Sequence, residues 1–183
     1  MIVKKNLIRK FVAVTALLVI VGAASNARAD DATKLYQALL TKQLERLPEG
    51  FSSASLGSTN LNPASQQAGM VGIAKVTLTG KNSSGDVRYA VFSSQQNYES
   101  YAREFSLPGK PIFFPYFPDA KCTSHNDTQA CRIGNGAVLI VAITHGLTEG
   151  PHGTSAGILV KAALEHLRSV RQSIRQPEPP PEQ

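Results

Sequence analysis

The sequence has no tryptophan, only two methionines and two cysteines, and charged side chains at just 17% of its 183 positions. Two cysteines cannot build a disulfide-dense toxin scaffold, and so low a charge content is foreign to a coiled coil. The 14 glycines carry no triplet period, which excludes collagen. The longest uncharged apolar run lies at the N-terminus and no other approaches the length of a membrane span, so a multi-pass membrane protein is excluded. No repeat of solenoid length is present. A chain of this size holds one core, with or without tails, and not two.

Catalytic signatures are missing as well. There is no G-x-S-x-G elbow, no H-E-x-x-H and no Walker loop. Gly134-Asn135-Gly136 resembles a phosphate loop only on the surface, because no helix N-terminus follows it.

What is present begins with an address label. Lys4, Lys5, Arg9 and Lys10 form a positive start, residues 11–24 are uncharged and apolar, and Ala27-Arg28-Ala29 supplies the small residues of a cleavage site. A run this short suits a secretory signal peptide over 1–29; the alternative is an uncleaved membrane anchor. No cysteine lies near the junction to carry a lipid. The expected localisation is periplasmic or secreted, with no stable membrane anchor after cleavage.

Removing that label changes the electrostatics. Five of the 19 basic residues, and none of the 13 acidic ones, precede residue 30, leaving 14 against 13. A nearly neutral body lacks the clustered field that displaces phosphate counterions, so no nucleic-acid partner is expected.

An oxidising compartment turns an even cysteine pair into a disulfide, here Cys122–Cys131. Their spacing is poor for zinc. The short loop they close is worth about 2.5–3 kcal/mol through the unfolded chain.

Along the mature chain, Asp30 or Asp31 can cap a helix. Leu35, Tyr36, Leu39, Leu40, Leu44 and Leu47 recur on one of its faces, and Pro48 and Gly50 stop it. A short edge strand is expected near 53–57, then a loop. Residues 70–79 form a strand in which Val71 and Ile73 share one phase and Val76 and Leu78 the other. That pattern predicts either a bulge near Ala74 and Lys75 or a central strand covered on both faces. A second strand covers 87–92. Ser93 or Ser94 then caps a helix bearing Tyr98, Tyr101, Ala102 and Phe105.

Residues 120–144 read as a three-strand meander. A two-residue loop at Asn126-Asp127 pairs His125 with Thr128, Ser124 with Gln129 and Cys122 with Cys131. The cysteines then fall on a non-hydrogen-bonded rung, whose close approach suits a disulfide. Asn135-Gly136 is the second turn, and 137–143, apolar throughout, is a strand in the middle of the sheet. A last helix runs from Thr154 or Ser155 to about Arg171, with Ile158, Leu159, Ala162, Ala163, Leu167 and Val170 inward. Lys161, Glu165, Arg168 and Arg171 face water, and His125 and His166 are expected at the surface.

The fold class is therefore α+β: an antiparallel sheet of about five to six strands, two helices packed on one face, and an additional N-terminal helix. The globular domain spans 30–175, and the Pro-rich segment 176–183 is an extended tail without core-forming residues.

Two clusters carry candidate chemistry. Phe113, Phe114, Tyr116 and Phe117 lie within five positions, stiffened by Pro111, Pro115 and Pro118. They form either a preorganised ligand- or partner-binding ledge or a plug over the open end of the sheet. His145, Glu149 and His152 could bind a metal or do acid/base work, against the plainer reading of a polar strand exit and loop. The reading this supports is an exported, soluble accessory or binding protein of a bacterial envelope. It is non-enzymatic, needs no cofactor, and engages a protein or an apolar small molecule through the aromatic loop. The alternative is a small metal-assisted or acid/base enzyme centred on the two histidines and Glu149.

Overall fold

The computed structural model describes residues 30–114, 117–146 and 155–176. Seven strands form one antiparallel sheet in the order β1-β2-β3-β7-β6-β5-β4. They are β1 (Ser53–Thr59), β2 (Met70–Thr79), β3 (Ser84–Phe92), β4 (Lys110–Ile112), β5 (Lys121–His125), β6 (Thr128–Gly134) and β7 (Val138–His145). The helices are α1 (30–41), α2 (Pro63–Gln67), α3 (Gln95–Glu104) and α4 (Ser155–Arg175). The α+β class and the antiparallel sheet are as expected. The strand missing from the sequence reading is β4, three residues with Pro111 at their centre, and an outer edge is where a sheet tolerates proline.

The helices do not share a face. Strand alternation sends Val87, Tyr89, Val91, Val138, Ile140 and Ala142 to one side, where they pack with Leu39 of α1 and Leu159, Ala163 and Leu167 of α4. Ala90, Phe92, Leu139 and Val141 point to the other side and meet Tyr98, Tyr101 and Phe105 in and beside α3. The expectation of the two later helices on one face is thus corrected: α1 and α4 cover one side of the sheet, α3 the other. Residues 138–142 are buried throughout because β7 is the middle strand and is covered twice.

Three local expectations shift. The bulge in β2 lies between Met70 and Gly72, where the register against β3 slips, and not near Ala74. Met70 joins the α3-side cluster while Ala74, Val76 and Leu78 join the α1/α4 side, which is the change of phase that an inserted residue produces. The second meander turn centres on Gly136 and Ala137, since the Asn135 N–H donates to the Val138 carbonyl. Gly136 takes φ +59° at the first loop position, as a type II′ turn demands. Helix α1 ends at residue 41, and Leu47, expected on its apolar face, is exposed.

The first hairpin agrees with its expected register. Cys122 faces Cys131, Ser124 faces Gln129 and His125 faces Thr128. The cysteines are bonded, with Cα atoms 4.0 Å apart. No helix among the described residues is long and apolar enough to cross a membrane. The segments 1–29 and 177–183 lie outside the described residues, as do Tyr116, Glu149 and His152.

Candidate functional site

The aromatic segment leaves edge strand β4 and splits into an inward and an outward part. Phe114 is buried at 3% exposure against α4, where a Cβ on Gly157 would stand 2.4 Å from its ring. Only glycine admits the ring at that distance. Phe117 stacks on Phe114, centroids 5.6 Å apart and planes 14° from parallel. The Phe117 N–H donates to the Phe114 carbonyl and the Ala120 N–H to the Phe117 carbonyl, so two backbone hydrogen bonds hold the pair. Phe113 points the other way and is 75% exposed. One side chain of the expected ledge is therefore presented to solvent, one is core, and Phe117 lies between them, half-buried.

Beside Phe117 runs a groove of about 470 Å³ along the outer face of α4. Lys161, Glu165, Arg168 and Arg175 of α4 line it together with Phe117 and Asn135. The Arg171 guanidinium also lines it, donating from Nη1 to the Asn135 side-chain oxygen and from Nη2 to the Asn135 backbone carbonyl at 2.9 Å. Burial lowers the Arg171 pKa, and the neighbouring Arg175 charge lowers it further. The sequence placed Lys161, Arg168 and Arg171 in water but did not join them to Phe117 and Asn135. The available signal was the seven-residue spacing of 161, 168 and 175, which puts three cations on one helical stripe.

Of the histidine cluster, His145 alone lies among the described residues. His145 ends β7 at the surface with Nδ1 2.8 Å from the Thr128 hydroxyl, and its proposed companions Glu149 and His152 lie outside the described residues. Among the described residues, no three His, Cys, Asp or Glu side chains are placed to hold a metal ion.

His125 is exposed, as expected, but His166 is not at the surface. It is 3% exposed, and neither ring nitrogen has a hydrogen-bond partner among the described residues. Its ring lies 5.7 Å from that of Tyr89, whose hydroxyl donates to the Ala163 carbonyl. Burial lowers the His166 pKa first, Lys42 lowers it further, and Glu45 opposes both. The sequence carried the clue: 166 sits three residues after Ala163 and four before Val170, both buried. A cavity of about 340 Å³ beside it is lined by Leu44, Glu45, Arg46, Ala162 and Glu165.

Comparison with protein-family models and with curated proteins finds no match to this chain.

Proposed function

We propose that the chain is an exported, non-enzymatic binding protein of the cell envelope that engages its partner through the aromatic segment. The observation that carries this reading is the contrast between adjacent residues: Phe114 anchored in the core and Phe113 left 75% exposed. A large ring held outward beside a buried neighbour loses little freedom on binding. Aromatic side chains of this kind concentrate binding energy at interfaces.

Recovery of the protein from its native compartment, with mass spectrometry of what remains bound, tests the reading. A bound protein or apolar ligand is expected with the natural sequence and should be lost from Phe113→Ser, while the fold persists. Equal recovery from both forms would contradict it. The same preparation tests export and oxidation, through a chain beginning at Asp30 and a Cys122–Cys131 bond resistant to thiol labelling.

A further inference from the structure

The outer face of α4 carries positive charge that no ion pair among the described residues neutralises. Lys161, Arg168 and Arg175 repeat every seven residues, close to two turns, and Arg171 falls between the last two. Lys161, Arg168 and Arg175 are exposed and Arg171 is half-buried. The ion pairs among the described residues, Lys75–Asp86 and Arg88–Asp86, stand on the α3 side of the sheet. None of the four α4 cations takes part in one. Among the described residues, Glu165 is the single acidic one lining the groove. Asn135 orients the Arg171 fork but, being neutral, leaves its charge uncompensated. Phe117 and Leu164 supply an apolar wall alongside.

We propose that this groove docks an extended, carboxylate-rich peptide segment of the partner protein, an assignment that rests on the binding reading above and names the partner's chemistry. Four cations against one carboxylate favour an acidic occupant, and three of the four are arginines, whose planar fork matches a carboxylate bidentately. From 161 to 175 the helix rises about 21 Å. Some six residues of extended chain span that length, at about 3.3 Å each. So few cations on a nearly neutral body give little of the counterion release that holds nucleic acid. The apolar wall is recessed in a groove, unlike the protruding apolar face that inserts into a lipid surface.

The test is fluorescence anisotropy of the purified, disulfide-bonded protein with a labelled hexaglutamate peptide. Its hexaglutamine counterpart, an oligothymidylate and phosphatidylglycerol vesicles serve as the other arms. The glutamate peptide is expected to bind and to weaken as salt is raised, with the glutamine peptide inert. R168E/R175E, at two exposed positions, should lower that affinity by about tenfold or more while leaving the thermal transition in place. Glu165→Gln should raise it. Equal binding of the two peptides, indifference to R168E/R175E, or preference for the oligonucleotide or the vesicles would overturn the assignment. A large gain in affinity from E178Q/E182Q would overturn it too, in favour of the chain's own tail as occupant. Because Phe113 does not line the groove, failure of the natural protein to bind hexaglutamate, with capture through Phe113 intact, would sink this inference alone.

Discussion

The two faces of the sheet are built differently. On the α1/α4 side the inward residues are mostly apolar, with Gln129 and Thr144 as buried polar exceptions, and Val76, Leu78, Tyr89, Ile140, Leu159 and Leu167 are each at most 1% exposed. On the α3 side the apolar patch is small, and the sheet beyond it is polar. Lys75, Thr77 and Arg88 there surround Asp86, with ion-pair distances of 3.1 and 3.2 Å. The α3 rings Tyr98 and Tyr101 lean on Phe92 and stay half-buried. The deep face holds the structure together, and its long helix leaves an outer surface exposed. The shallow face is a cover.

That contrast is open to direct attack, starting with the largest effect. Leu159→Ala on the deep face should cost about 3–5 kcal/mol in urea unfolding, because a close-packed site cannot collapse around the lost atoms. Tyr101→Ala on the shallow face should cost about 1–2 kcal/mol, since its half-buried ring forfeits less. Similar losses at both sites would erase the distinction.

Removing the disulfide with C122A/C131A should cost about 2.5–3 kcal/mol in the same assay, by freeing the unfolded chain. The bond ties β5 to β6 under the deep face, so the loss should appear as a lower urea midpoint for the whole unfolding transition.

His166 provides a pH test confined to the deep face. Its folded pKa lies below the ordinary value, so the unfolded chain binds more protons over the interval between the two. The contribution of the neutral imidazole is complete above about pH 6.5. It is lost as pH falls from there through the folded pKa. Lys42, Glu45 and Glu165 bear on this ring from the segment after α1 and from α4 itself. Thermal melts of the natural protein against His166→Leu across that range should show the variant less sensitive to acid. Parallel curves would assign the acid response to other groups.

The smallest change is expected at Phe113. Phe113→Ser should shift stability by no more than about 0.5 kcal/mol, as for other exposed positions. A loss of the size expected for Leu159 would mean that the ring is core after all.

These contrasts were unevenly legible in the sequence. The β5–β6 register was readable because a two-residue loop leaves one pairing, and the cysteines had to meet on it. The β6–β7 turn was misplaced because Asn135 followed by Gly136 invites a loop centred on both, whereas Asn135 still pairs with Val138. The apolar run in β7 revealed a strand covered twice, yet alternation alone cannot say which helix goes to which side. For that reason α3 and α4 were assigned together. His166 was read by its polarity and not by its place on the buried stripe. Of the candidate site, Phe113 and Phe114 were visible as a pair, but which ring turned inward depended on Gly157, more than forty positions away. The cationic groove joins α4 to Asn135 and Phe117, and no local pattern links those three segments.

The most direct test of the account places a photo-crosslinking phenylalanine analogue at Phe113 and, as a comparison, at Ser100 on exposed α3, in protein left in its native compartment. Irradiation should yield a defined adduct from position 113 and none from position 100. An adduct from position 100 alone, or none from either, would contradict the claim that the aromatic segment is where this protein meets its partner.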